Sequence, residues 1–555
     1  MDKKMGMGHH PSIGEYLIQR IYEVGARHVF GVPGDYILNF YALLSGSPLQ
    51  VINTCDEQGA GFAADAYART HGFGVVCVTY NVGGFKVINT TAEAYAEKSP
   101  VLVIAGAPGW QEREKFALLH HKVREYNDQY KIFERITVAS TELRDPEHAY
   151  GEIDRVLAEI VHKKGPGYIE LPRDIVAMVP GNAPDTHSVQ STGHNNVRIP
   201  PGVLDQIVSR VNGSSHPVIW VGEEIARHNI SPFVQALAEK ANIPVVSSML
   251  GKSVVDETSS LYLGVYAGVI GDEQVRAYVE ASDCLLVLGV ILNDVNLGAN
   301  TAVLDPGRMI ILSGDTCSIG SEVYGGSGLS AIAELPVEQF HPHDLRGTPH
   351  AQSLRKISYC PTHAKITAER FFIAIDSFVD ESNVVIADVG DAAMGAMAIT
   401  IPRPHQFLCP IYYSSLGFSV PAAIGVKAAH PDLRPLVLVG DGAFQMTGME
   451  LSTAARYQMD PIVIVLNNRG FGTERPMIDG LFNDVAPWRY HRIPDIIGKG
   501  KGYQVTTEDE LTMALSKSKE SKELSIIEVL LDKNDITPQL RRMCERLAKG
   551  VKRSV

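Results

Sequence analysis

Short uninterrupted apolar runs recur along the chain, each stopping at a glycine or a polar residue. In the first third they are "HVFGVPG", "QVINTC", "GVVCVTY", "PVLVIAG" and "GYIELP". In the middle they are "PVIWVGE", "IPVVSSM", "CLLVLGV" and "RMIILSGD", and in the last third "NVVIADVGD", "PLVLVGDG", "PIVIVLNN" and "LSIIEVLL". Runs of this length read as strands buried on both faces. The segments between them have helix-forming composition. Strands alternating with helices predict an α/β protein whose units are doubly wound, mostly parallel sheets. Two soft stretches divide the chain, "PGNAPDTHSVQSTGHNNVRIPPG" and "HPHDLRGTPHAQS", both rich in turn-forming residues. The units expected are 1–185, 200–340 and 365–555. The first and third share a pattern of apolar strand followed by a glycine turn, but no internal duplication can be read from the residues.

Composition narrows the class. A chain of 555 residues suggests about three domains at ~150 residues each. A formal net charge of −13 argues against nucleic acid or an anionic membrane surface as partner. Seven scattered cysteines form no CxxC pair, so neither a disulfide framework nor a zinc site is expected. No run approaches the ~20 apolar residues of a membrane span, and "MDKKMGMGHH" has no apolar stretch after its lysines, so it is not a secretory signal. A cytoplasmic, reducing location is the expectation.

The chemistry is densest in "GDGAFQMTGMELSTAARYQMDPIVIVLNN", Gly440 to Asn468. It reads as strand, glycine turn, helix over 444–457, strand. Such a connection makes the two strands parallel and brings their C-terminal ends to one sheet edge, where open α/β sheets bind ligands. Asp441 and Asn468 meet there. A carboxylate and an amide oxygen are hard ligands suited to Mg²⁺, which commonly shares its shell with phosphate. Gly442 and Ala443 open the helix, and their free N–H groups favour an anion at the same spot. A metal–diphosphate clamp is the expectation. The first unit adds Asp35 on the turn of "VPGDY", Glu57 at the start of a helix in "INTCDEQGAGFAADAYART", and His120 beside His121 in "LLHHKV". Taken singly, these read more simply as a turn former, a dipole-compensating acid and solvated histidines.

Together these features resemble a known family, the thiamine-diphosphate-dependent 2-oxo acid decarboxylases of the pyruvate, indolepyruvate and phenylpyruvate decarboxylase type. The resemblance spans nearly the whole chain. "GVPGDY", "CDEQGAGFAADAYART", "VTYNVGG", "EAYAEKSPVLVIAGAPG", "LLHH", "SSLGFSVPAAIG" and "GDGAFQMTG…VLNNRGFGTE" carry it. The basic tail "LRRMCERLAKGVKR", with "EAYAEKSP", looks most like the bacterial phenylpyruvate branch. The Glu474 that this chain keeps is missing from some members of that branch.

The resemblance implies roles. Glu57 matches the acid that holds the cofactor's aminopyrimidine nitrogen, and Leu416 matches the apolar prop that bends the cofactor. Asp441, Asn468 and the carbonyl of Gly470 match the Mg²⁺ ligands. Gly390, Asp391, Ser414, Gly442, Ala443 and Phe471 match the rest of the cofactor site. Asp35, His120, His121 and Glu474 match the acid–base groups that protonate the enamine left after CO₂ departs and expel the aldehyde. The resemblance does not say which of them moves which proton.

It also implies a homodimer at minimum, with tetramers common in the family. The middle unit shows no G-x-G-x-x-G after its first strand, only "VIWVGEEIARH", so it is expected to be structural. Four positions line the substrate pocket in the family: Val295, Ala393, Thr473 and Met477 here. Pyruvate-specific bacterial members carry a tyrosine, a tryptophan and two isoleucines there. Three of these four are smaller and Met477 is flexible, so the expected substrate is an aromatic or branched 2-oxo acid such as phenylpyruvate or indolepyruvate. The alternative is a carboligase, joining the same enamine to a second carbonyl compound. A plain nucleotide-binding oxidoreductase would explain the strands but not Glu57, the histidine pair or "NN".

Overall fold

The structure, a computed structural model, describes residues 10–181, 199–200, 202–314, 316–326, 328–348 and 358–551. Most of the first soft stretch and the end of the second lie outside them. The chain groups into two compact units, Met1–His194 with Ile424–Ala429, and Asn195–Ala423 with His430–Val555.

The first unit holds one six-stranded sheet. Its strands are β1 (His28–Gly31), β2 (Gln50–Asn53), β3 (Gly74–Val78), β4 (Val101–Ala107), β5 (Ala139–Glu142) and β6 (Gly167–Pro172). All pairings are parallel, in the order β2-β1-β3-β4-β6-β5. Every residue of β3, β4 and β6 is buried, which is why these strands read as unbroken apolar runs. β5, "ASTE", was not expected: it is an edge strand and carries no such run.

The second unit holds two sheets. One comprises β7 (Pro217–Val221), β8 (Val245–Ser247), β9 (Tyr262–Val265), β10 (Cys284–Leu288), β11 (Met309–Ser313), β12 (Thr316–Ile319) and β13 (Glu322–Tyr324). β11, β12 and β13 pair antiparallel at one edge and the rest are parallel. The other comprises β14 (Asn383–Ala387), β15 (Phe407–Leu408), β16 (Arg434–Gly440), β17 (Ile462–Asn467), β18 (Lys501–Val505) and β19 (Ser525–Leu530), all parallel, in the order β15-β14-β16-β17-β19-β18. That is the order of the first sheet again, strand for strand. This likeness between the first and third sheets, which the residues do not reveal, is plain in the topology.

In both sheets the first strand has the second on one side and the third on the other. The chain reverses direction across the sheet there, and such a switch point opens a crevice beyond the strand ends. Within the second unit a buried ion pair joins the two sheets: Lys252 Nζ lies 2.9–3.0 Å from both Glu257 oxygens and 2.6 Å from the Ile399 carbonyl, and Glu257 accepts from Ile401 N at 2.9 Å.

The expected helix over 444–457 is two. Asp441–Thr447 is helical, Gly448–Glu450 tightens to a 3₁₀ turn, and Leu451–Arg456 resumes. Gly448 lies directly under the Phe444 ring, where an added Cβ would come within 2.3 Å. That ring occupies the place of a side chain, and the turn closes more tightly around it.

Candidate active site

In the second unit, β16 delivers Asp441 and β17 delivers Asn468 to the same edge, since Gly440 is in register with Leu466 on the neighbouring strand. Asp441 is fully buried. One of its oxygens accepts from Gly442 N at 2.8 Å and the other from Gly470 N at 3.1 Å. Burial pushes its pKa up to about 6, against the pull of those N–H groups and that of Arg469. It forms no ion pair among the described residues, so a buried carboxylate stands without a charged neighbour in contact. Asn468 Oδ1 is buried as well and has no hydrogen-bond partner. Buried oxygens left in this condition are costly unless something else satisfies them. A carboxylate and an orphaned amide oxygen together suit a divalent cation.

The surroundings of Asp441 and Asn468 are backbone and packing. Gly470 has φ +153° and its α-carbon presses on the Asn483 carbonyl, where a Cβ would clash at 2.0 Å. Only glycine lets the chain turn there. The Phe471 ring lies against Gly442 in the same way. Gly442 and Ala443 sit in the first turn of the helix Asp441–Thr447, where N–H groups have no intrahelical partner. Gly390, φ +92°, precedes the helix Asp391–Ala396 and faces Thr473 Oγ1.

Leu416, half-buried, is presented by a loop pinned from both sides. The buried Asp388 at the end of β14 accepts from Gly417 N (3.1 Å), Ser419 N (2.9 Å) and Ser419 Oγ (2.7 Å), and Thr447 Oγ1 donates to the Gly417 carbonyl at 2.6 Å. Ser414, in the left-handed region, turns its hydroxyl back onto the Ile411 carbonyl. Sequence reading missed Asp388, although it ends an apolar strand as Asp441 does.

Around the four expected pocket residues, Ala393 lies in the core of this unit and Val295 packs against that core. Thr473 stands beside Gly390, while Met477 follows on the next turn, half-buried and outside that core cluster. Glu474 is exposed on the turn between them. The C-terminal helix Pro538–Val551 joins them: Leu540 and Cys544 enter the same core as Ala393, and Cys544 Sγ donates to the Thr473 carbonyl at 3.3 Å. Burial pushes the Cys544 thiol up to about 11. Asp391 turns its carboxylate to this helix, accepting from Thr537 N at 3.1–3.2 Å and from the Thr537 hydroxyl.

In the first unit, β1 leads into the turn with Asp35, and a loop after β4 brings His120 and His121. Asp35 Oδ2 lies 2.8 Å from His120 Nε2, and the His120 Nδ1 faces the Tyr36 hydroxyl at 3.1 Å. The two rings stack at 4.6 Å. Burial and the nearby Asp35 charge raise the Tyr36 pKa to about 12, so its hydroxyl keeps its proton and donates. The same hydroxyl lies 3.3 Å from the His120 carbonyl, to which it donates. His121, φ +68°, is held by Asn81 Nδ2 on its carbonyl at 2.7 Å and leaves its buried Nδ1 without a partner. Glu57 is the first residue of the helix Glu57–His71, nearly buried, with Lys86 Nζ 2.8 Å from Oε2. Lys86 sits in "NVGGFKV", where nothing local marks it.

Three family profiles match the chain in order. They are described as thiamine pyrophosphate enzyme, N-terminal TPP binding domain (residues 11–132), central domain (204–330) and C-terminal TPP binding domain (388–529). An indole-3-pyruvate decarboxylase of Azospirillum brasilense is 33% identical over 548 residues, covering 96% of this chain and 98% of its own. Alpha-keto-acid decarboxylases of Mycolicibacterium paratuberculosis and Mycobacterium tuberculosis are each 30% identical, over 537 and 549 residues, covering 94% and 97% of their own lengths and 95% and 97% of this one.

Proposed function

This chain belongs to the thiamine pyrophosphate-dependent 2-oxo acid decarboxylases, and on that premise we propose that it converts an aromatic or branched 2-oxo acid to CO₂ and the aldehyde without oxidation. The observation that carries the reading is the buried Asp441 carboxylate beside the orphaned Asn468 Oδ1. With the Gly470 carbonyl they would hold Mg²⁺. The N–H groups of Gly442 and Ala443 would take the diphosphate, Glu57 the pyrimidine, and Leu416 the underside of the rings. Gly390, Asp391, Ser414 and Phe471 complete that wall. When bound, the cofactor supplies the electron sink for the charge released as CO₂ leaves.

The chain's own groups handle the protons. Asp35 at Nε2 and Tyr36 at Nδ1 hold the His120 ring in one orientation. His121 offers an unpaired ring nitrogen, and Glu474 an exposed carboxylate. These are the groups to protonate the nascent aldehyde carbon and expel the product.

The substrate preference rests on Val295, Ala393 and Thr473, each smaller than the residue that pyruvate-specific family members carry at the matching position. The residue that the C-terminal helix sets against Thr473 is Cys544, itself small. Each methylene that fills or misses such a pocket is worth ~1–3 kcal/mol in discrimination, so a phenyl group decides the preference by orders of magnitude. The test is kcat/KM for pyruvate, 2-oxoisovalerate, phenylpyruvate and indolepyruvate side by side. Phenylpyruvate or indolepyruvate should lead, and pyruvate in first place would refute the open pocket. Stripping the protein and restoring thiamine pyrophosphate with and without Mg²⁺ tests the metal: turnover should need both.

A further inference from the structure

The helix Glu57–His71 begins with two carboxylates in succession, Asp56 as its cap and Glu57 as its first residue. One ammonium meets both. Lys86 Nζ lies 2.8 Å from Glu57 Oε2 and also donates to Asp56 Oδ2. Asp56 spends its other oxygen on the helix, accepting from Gln58 N at 2.9 Å. The environments of the two acids differ: the Glu57 side chain is 11% exposed, against 43% for Asp56 and 49% for Lys86. Lys86 therefore bridges a buried carboxylate and a solvated one. Its hydrogen bonds to Asp56 and then Glu57 raise its pKa above the ordinary lysine value, so it stays charged across the neutral range.

We propose that Lys86 competes with the cofactor's pyrimidine ring for Glu57, and that Asp56 is the station to which it withdraws when the cofactor takes that acid. The inference rests on the assignment of Glu57 to the cofactor. An ammonium at 2.8 Å favours Glu57 as a bare carboxylate, whereas holding a ring nitrogen calls for a proton shared between acid and ring. The two partners want different protonation states of one side chain. Withdrawal costs little, because Asp56 keeps the ammonium paired in solvent. What remains is a competition that lowers apparent cofactor affinity by the fraction of Glu57 held by Lys86.

The pair of variants Lys86→Met and Asp56→Asn tests it, because they should act in opposite directions. Lys86→Met removes the competitor. Asp56→Asn keeps the helix cap, since asparagine caps as well as aspartate, but takes away the charge that draws Lys86 off Glu57. Calorimetric titration of thiamine pyrophosphate in excess Mg²⁺ should show Lys86→Met binding about twofold to fivefold more tightly than the parent, the scale of a partly exposed ion pair. Asp56→Asn should bind more weakly. Thermal midpoints confirm that both fold. Unchanged or weaker binding by Lys86→Met overturns the proposal, as does Asp56→Asn binding as tightly as the parent. Glu57→Gln, assayed alongside, separates the two ideas. If it keeps its turnover, the assignment of Glu57 falls; if it is inactive while Lys86→Met binds like the parent, only the role of Lys86 falls.

Discussion

At the residue scale the site sets a buried carboxylate near a buried amide oxygen that no described group satisfies. Asn468 Oδ1 has no partner and Asp441 has only backbone N–H groups. Leaving such a group unsatisfied costs about 1–3 kcal/mol, and a bound cation would remove that cost. Asp441→Ala should therefore spare the fold and cost cofactor retention. Titrated with thiamine pyrophosphate in Mg²⁺, it should show a half-saturation raised at least tenfold, and an unchanged curve would contradict the metal assignment. Glu57→Gln should behave differently. An amide cannot carry the acid's proton, so kcat should fall by ~10²–10⁴ with cofactor saturating, as for other essential acid–base groups. These residues were legible in the sequence because each follows an apolar run or opens a helix. Tyr36 and Lys86 were not, because each meets its partner only in the fold, while Asp388 follows an apolar run as Asp441 does and its partners lie 29 and 31 residues on.

At the element scale, most strands were legible because burial on both faces leaves no polar alternation to confuse them. The strands that escaped are those where this fails: β5, β12, β13 and β18 include exposed or half-buried residues, β15 has two residues, and β9 is short and interrupted by Gly264. The C-terminal helix was visible as a basic tail, but its docking was not. Asp391 is its anchor. Burial raises the Asp391 pKa to about 6, against the hydrogen bonds from Thr537. A carboxylate with a raised pKa holds more proton in the folded chain than in the unfolded one between about 4 and 6. Its contribution to stability is thus present at the acid end and lost as pH rises through that window, by at most about 3 kcal/mol at 1.36 kcal/mol per unit. Asp391→Asn keeps an acceptor for Thr537 and removes the titration. The thermal midpoint of the parent relative to this variant should decline from pH 4 to pH 6 and level off above; a difference constant over that range would refute it. Leu540, fully buried on the same helix, should cost about 2–5 kcal/mol as alanine, and hydrogen exchange should then be faster over residues 538–551 than elsewhere.

At the scale of the molecule, the two expected halves of the site stand on separate compact units. Both expected halves and the three sheets were legible in the residues, while the shared strand order of the first and third sheets needed the structure, because topology leaves no trace in spacing. On the family resemblance, an assembly of at least a homodimer is the proposal, and one exposed apolar patch is where it would be tested. The segment just after Glu474 and Met477 exposes Ile478, Leu481 and Phe482, with Leu481 88% and Phe482 69% accessible. A cluster of large apolar side chains this exposed is unusual on a monomer and ordinary at an interface. Charged substitutions there, Leu481→Asp with Phe482→Asp, should leave each unit folded and oppose assembly, since neither residue contributes to a core. Sedimentation velocity should find the parent as a dimer or larger, and the double variant shifted toward monomer. Turnover should fall in the same proportion and recover as protein concentration is raised. A parent that sediments as a monomer with full turnover would show that one chain completes the site alone, and a double variant that stays assembled would place the interface elsewhere.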